Sequence, residues 1–125
     1  MSTILVADDE LLLRRSVQRI LLRAGYQVVL AADGEDALHL FEQHRVEIKL
    51  VLLDLHMPKL GGVDTLKAIK GIAPHTAVIL TSGESTQELE LRCAGLDLDG
   101  IVSKPFSRQE LVAKVQELLP LSGDG

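Results

Sequence analysis

A chain of 125 residues, 46% hydrophobic and 25% charged, has room for one domain and enough apolar side chains to build a core without disulfides or a structural metal. The single cysteine, Cys93, excludes an intrachain disulfide, and no Cys/His grouping has zinc-ligand spacing, so a reducing, cytoplasmic setting is expected. A net charge of -5, one Tyr, two Phe and no lysine/arginine cluster argue against a nucleic-acid surface; the absence of a signal-peptide pattern or of any apolar run near the roughly 18 residues of a membrane span predicts a soluble protein.

Ile4-Leu5-Val6-Ala7 is a continuous apolar run, predicted as a strand buried on both faces, and Asp8-Asp9-Glu10 follows it directly. Leu13, Val17, Ile20, Leu21 and Ala24 then recur at i, i+4, i+7, i+8 and i+11, which predicts a helix with one apolar stripe. Arg14, Arg15, Gln18, Arg19 and Arg23 fall largely on its other face, and Gly25 supplies a stop. Val28-Val29-Leu30-Ala31 predicts a second strand. A second helix starts at Asp33-Gly34, with Asp33 as cap, Glu35 and Asp36 favoured by the helix dipole, and Ala37, Leu38 and Phe41 inward. Leu50-Val51-Leu52-Leu53 is the third strand and ends in Asp54; the third helix runs from about Val63 through Leu66 and Ile69, with Gly71 and Pro74 ending it.

Ala77-Val78-Ile79-Leu80 predicts a fourth strand, running into Thr81-Ser82. The helix expected from roughly Ser85 to Cys93 is poorly patterned, because Leu89, Leu91, Cys93 and Ala94 make no single stripe. Ile101-Val102 is a short fifth strand with Lys104 shortly after it. The last helix is well specified: Ser107 and Glu110 form a capping box, Phe106 staples onto Leu111, and Leu111, Val115 and Leu118 face inward. Residues 1–119 are expected to form one domain and residues 120–125 a disordered tail or the start of a linker.

Five strand–helix alternations predict an α/β fold, a doubly wound parallel sheet with helices on both faces. In such a sheet the strand C-termini share one edge, where ligands bind at the reversal of winding. Asp8, Asp9, Asp54, Thr81, Ser82 and Lys104 all fall on that edge. Taken singly, each has a structural reading: Asp8 or Asp9 as a helix cap, Asp54 as a turn residue, Thr81 as a locally bonded hydroxyl, Lys104 as a solvated side chain. Together they supply carboxylates for a hard cation, a hydroxyl donor and an ammonium, the parts that phosphoryl transfer to a carboxylate requires. Without a cation the three acids repel one another, which is expected to raise at least one pKa.

Ile4-Leu5-Val6-Ala7-Asp8-Asp9-Glu10, Leu52-Leu53-Asp54-Leu55-His56-Met57-Pro58 with Gly62, Leu80-Thr81-Ser82 and Ser103-Lys104-Pro105-Phe106 together resemble the response-regulator receiver family of two-component phosphorelays, over about Thr3 to Leu119. The resemblance implies a flavodoxin-like three-layer sandwich with five helices and strand order 2-1-3-4-5. It implies Asp54 as phosphoacceptor, Asp9 and Asp54 as direct Mg²⁺ ligands with the His56 carbonyl, and Asp8 acting mainly through a metal-bound water. Thr81 and Lys104 would each hold a phosphoryl oxygen, and the Lys104-Pro105 peptide would be cis. The implied partners are a sensor histidine kinase or phosphotransfer protein and a downstream protein on the face of the fourth helix, fifth strand and fifth helix, with no direct nucleic-acid or membrane contact.

His56 occupies a position where the family varies its dephosphorylation rate; a solvent-exposed side chain without chemical role is the other reading. Ile101 is a departure, since the family usually places a Tyr or Phe there that swings inward on phosphorylation. The expected response is therefore a pull on Thr81 and a shift of the Ser82 to Ser85 loop and the fourth helix, more than a reorientation of Ile101. A flavin carrier shares the architecture, and a dehalogenase-type phosphatase also phosphorylates an Asp. The first wants a Ser/Thr/Gly-rich loop where this chain has acids, and the second a D-x-D nucleophile after the first strand. A receiver that is never phosphorylated, serving as an interaction module, is the third alternative; the short tail fits a stand-alone regulator or a receiver within a hybrid kinase.

Overall fold

A computed structural model describes residues 2–121. Its elements are β1 (Thr3–Ala7), α1 (Leu11–Arg23), β2 (Gln27–Ala31), α2 (Gly34–Gln43), β3 (Ile48–Asp54), α3 (Gly62–Ile72), β4 (Ala77–Ser82), α4 (Thr86–Arg92), β5 (Gly100–Ser103) and α5 (Arg108–Leu118). All four strand pairings are parallel and the order is β2-β1-β3-β4-β5. Of the expected tail, Ser122 to Gly125 lie outside the described residues.

Successive residues of a strand point to opposite faces, and the central strands divide accordingly. Leu5, Ala7, Val51 and Leu53 pack with Ala37 and Phe41 of α2, Leu66 and Ile69 of α3 and Leu89 of α4. Ile4, Val6, Leu50 and Leu52 pack with Val17 and Leu21 of α1 and Leu111 and Val115 of α5. Two cores on either side of one sheet make the three layers that the sequence predicts. The edge strand β2 is less covered than a continuous apolar run suggests: Val28, Val29 and Leu30 are only half-buried, because an edge strand has a neighbour on one side.

Local chemistry sets the ends of the helices. Asp33 caps α2 by accepting from the Asp36 N–H at 2.8 Å, and Ser107 with Glu110 forms the full capping box of α5. Gly25 follows α1 with φ of 104°, a left-handed conformation that favours glycine. Three details differ from the sequence reading. Gly71 lies inside the last turn of α3, which runs on to Ile72 and ends at Ala73; Ile72 packs on the core, and Pro74 biases the residue before it away from helix. Neither Asp8 nor Asp9 caps α1, whose N-cap is Glu10 with no side-chain cap bond. And α1 gathers Arg15, Arg19 and Arg23 on its exposed face, so the basic residues are more clustered than the linear sequence suggests.

One glycine positions the loop after β3. A Cβ at Gly62, the first residue of α3, would stand 2.5 Å from the Asp54 carbonyl oxygen and 2.8 Å from the Leu55 Cα, and its N–H donates to the Leu55 carbonyl at 3.0 Å. Backbone atoms cannot yield as a flexible side chain would. Gly62→Ala is therefore expected to destabilise the fold by roughly 1–3 kcal/mol, the usual cost of overpacking; urea unfolding of the two proteins checks this, and an unchanged midpoint would contradict the close approach.

Candidate functional site

The sheet register assembles the site. Ala7 pairs with Leu53, so Asp8 follows β1 at the level where Asp54 ends β3. Asp54 in turn pairs with Thr81 of β4, and Ser82 with Ser103 of β5, whose next residue is Lys104. Residues scattered over 97 positions, Asp8 to Lys104, meet at one edge because parallel strands all point the same way.

Asp8 and Asp54 are each 5% exposed, whereas Asp9 is exposed. One carboxylate oxygen from each of the three lies within 4.8 Å of the others. The Lys104 ammonium sits among them, 3.0 Å from Asp8 Oδ2, 3.4 Å from Asp54 Oδ2 and 3.9 Å from Glu10 Oε1. The Lys104-Pro105 peptide is cis, as the family resemblance implies.

Burial pushes the Asp54 carboxyl above its ordinary value of 3.8; the Lys104 charge opposes this, and the Asp8 charge adds to it. The expected rise is present, but burial is its largest cause and repulsion from the Asp8 charge a smaller one. Burial alone would lower the Lys104 pKa, yet its hydrogen bond to Asp8 and the charges of Asp54 and Asp8 outweigh burial and raise it.

The local bonds leave the reactive groups largely free. Asp8 Oδ1 accepts from the Glu10 N–H at 2.9 Å, and the Arg14 guanidinium donates to the Asp8 carbonyl at 2.7 Å. The turn bond from the His56 N–H to Asp54 Oδ1 is 3.4 Å long, as is the contact from the Thr81 hydroxyl to the Leu53 carbonyl. Both exceed the usual hydrogen-bond range and are weak. The structural readings of these residues thus account for little of their arrangement.

His56 has a 64% exposed side chain, but it is not a bare solvated ring: its Nε2 lies 2.9 Å from Glu84 Oε2. Glu84 also receives Arg92 at 2.9 Å on its other oxygen. The sequence reading did not single out Glu84; the available signal was an acid two residues beyond the strand-end pair Thr81-Ser82. Ile101 is half-buried and lines a cleft between α4 and α5 with Thr86, Ser103 and Lys114. Tyr26 and Phe41 lie in the two cores and Phe106 packs beside the α5 side of the sheet, so none of the three aromatics stands in for a ring at position 101.

The donor set fits a hard divalent cation. Three carboxylates offer oxygen only, and the exposure of Asp9 leaves one side open to a partly hydrated ion such as Mg²⁺. A group reacting with Asp54 would meet a buried nucleophilic carboxylate, a hydroxyl on the adjacent strand and an ammonium already in place. That combination suits transfer of an anionic, charge-spreading group.

The raised Asp54 pKa has a consequence for stability. A carboxyl whose folded pKa exceeds its unfolded value contributes stability below the ordinary range near 3.8 and loses it as pH rises through the folded value. Asp54→Asn is therefore expected to raise the thermal midpoint at pH 7, with the gain shrinking as pH falls toward 3.8 and below. Thermal melts across that range check it; a lower midpoint at pH 7 would mean that Lys104 pairing outweighs burial.

Comparison with known proteins agrees with this fold. The family model described as response regulator receiver domain matches residues 4–116. The transcriptional regulatory protein CpxR of Escherichia coli K12 is 40% identical over 121 residues, which is 95% of this chain and 50% of that protein; a probable transcriptional regulator, ycf27, of Cyanophora paradoxa is 40% identical over 93% of this chain and 47% of its own length. The chain thus spans about half the length of these curated relatives. Among solved structures, a receiver domain protein from Clostridium thermocellum superposes with a TM-score of 0.88 at 29% identity, covering 95% of this chain and 94% of that one. The response regulator TrrA of Thermotoga maritima, solved in complex with Mg²⁺ and BeF, gives 0.85 at 33% identity, covering 95% and 100%.

Proposed function

Because the chain belongs to the response regulator receiver family, we propose that Asp54 carries its phosphoryl group, taken from a phosphohistidine of a sensor histidine kinase or phosphotransfer protein. The observation that carries this reading is a buried strand-end carboxylate with Thr81 beside it on the next strand, two further acids within reach and Lys104 at 3.4 Å. In the transfer an Asp54 oxygen bonds to phosphorus as the bond from phosphorus to the donor imidazole nitrogen breaks and the imidazole leaves with the electron pair.

Asp9 and Asp54, with the His56 carbonyl, would hold Mg²⁺ directly, and Asp8 through a water. When bound, the ion supplies charge neutralisation for the transferring group. The chain's own residues do the rest. Lys104, already in contact with Asp54, turns its ammonium to a phosphoryl oxygen, and the weakly bonded Thr81 hydroxyl donates to another. The domain is a signalling receiver; to this we add that it assists its own Mg²⁺-dependent phosphorylation and dephosphorylation. This membership sets aside the flavin carrier and the dehalogenase-type phosphatase.

A cytoplasmic setting goes with a histidine-kinase donor. The output surface we propose is the α4, β5 and α5 face, where the cleft beside Ile101 lies. A protein partner suits that face, and direct nucleic-acid contact by these residues is not part of the proposal. If the chain is one part of a regulator like its longer relatives, transcriptional output would pass through other residues. No helix among the described residues is long and apolar enough to cross a membrane.

Incubation with acetyl phosphate and Mg²⁺ is expected to add one phosphoryl group by intact mass to the wild type and none to Asp54→Asn; an unchanged wild-type mass, or full modification of the variant, contradicts the assignment. Asp9→Asn is expected to weaken Mg²⁺ binding by about 10-fold or more, at least the effect of losing an outer-shell partner. Lys104→Ala should retain cation binding while lowering the yield of the phosphorylated form, and loss of all Mg²⁺ affinity in that variant would show that the two roles are not separate.

A further inference from the structure

The side chain of Glu84 joins two segments that the sequence keeps apart. Its Oε2 is 2.9 Å from the His56 imidazole in the loop after β3, and its Oε1 is 2.9 Å from Arg92 at the end of α4. Its own N–H donates to the Ser82 hydroxyl at the end of β4, at 3.1 Å. The Glu84 side chain is only 17% exposed, while those of His56 and Arg92 are 64% and 53% exposed, so Glu84 is the covered centre of the group. The imidazole bond and the Arg92 charge hold its carboxyl below the ordinary carboxylate range despite desolvation.

The helix on the far side of this group has few other ties. Within α4 only Leu89 is buried, Cys93 follows at the cap, and Leu91 is 74% exposed. Its N-terminal end is held by the Ser85 cap and by the Thr86 to Ser103 hydroxyl contact at 2.9 Å. Its C-terminal end has Arg92 on Glu84. A short element with so little buried apolar surface sits at the low end of local stability, where one polar link alters its populations.

The other end of the group reaches the acceptor. His56 is two residues from Asp54, and its N–H already points at Asp54 Oδ1; Ser82 follows Thr81 in the strand. A change of charge and volume on Asp54 therefore acts on both segments that hold Glu84. We propose that Glu84 is the positioning residue that carries the state of Asp54 to α4, through the His56–Glu84–Arg92 chain, in a protein whose position 101 has no aromatic ring to do so. This rests on Asp54 being the acceptor and adds the route by which its state leaves the site.

The test compares amide exchange and intact mass in the wild type, Glu84→Ala, Arg92→Ala and Arg92→Lys, each with and without beryllofluoride and Mg²⁺, and with acetyl phosphate for the mass. In the unmodified protein, Glu84→Ala is expected to speed exchange over Thr86 to Arg92 by about twofold to fivefold, the range in which exposed ion pairs act, with the central strands unchanged. With beryllofluoride, the wild type should show a protection change over the same residues, and Glu84→Ala and Arg92→Ala should each reduce it about threefold or more. Arg92→Lys should restore part of it, and phosphoryl uptake at Asp54 should stay at the wild-type extent in Glu84→Ala. An α4 response in Glu84→Ala equal to the wild type, with Asp54 modified in both, overturns the route alone. A wild type that takes up no phosphoryl group overturns the acceptor assignment as well, and the mass tells the two failures apart. Unchanged α4 exchange in the unmodified variant overturns the tie in either case.

Discussion

Two carboxylates buried at the edge of a parallel sheet, with one ammonium between them, set the conditions for everything else in this molecule. Asp8 and Asp54 are almost fully covered, and an ionised carboxylate taken out of water costs several kcal/mol unless a partner offsets it. Lys104 is that partner for both. The arrangement leaves the fold carrying a group that burial disfavours in its charged form. The site is thus kept away from the most stable arrangement of its own charges, as sites that change state commonly are.

The surrounding fold divides into a packed part and a part held mainly by polar links. β1, β3 and β4 are buried along nearly their whole length and fix the positions of Asp8, Asp54 and Thr81 through their register. Gly62 lets the start of α3 lie against the Asp54 backbone, so the loop after β3 has little freedom. The β4–α4 loop and α4 have few core contacts and are held instead by polar links. Polar links near a charged site respond to its charge, whereas packed strands do not. The division of labour follows from which bonds hold each element.

Much of this was legible in the sequence for a physical reason. In a parallel sheet a position at a strand end is also a position in space, so Asp8-Asp9, Asp54, Thr81 and Lys104 could be assigned to one edge from apolar runs alone. Caps were legible because Asp33 and Ser107 act on backbone only three residues away. Other features were hidden. β3 starts at Ile48, two residues before its apolar run, because Lys49 points outward and breaks the pattern. Glu84 was passed over because its partners, His56 and Arg92, lie 28 and 8 residues away in sequence and meet it only through loop geometry. The weight of burial over repulsion at Asp54 was hidden too, since it depends on how completely the folded chain covers the carboxyl.

We propose that this geometry selects one carboxylate among three neighbours for chemistry. Borohydride reduction after treatment with acetyl phosphate and Mg²⁺ converts an aspartyl phosphate to homoserine, and peptide sequencing by tandem mass spectrometry then reads which residue carried it. Homoserine is expected at position 54, with aspartate unchanged at positions 8 and 9. Homoserine at Asp8 or Asp9, with Asp54 intact, would contradict it.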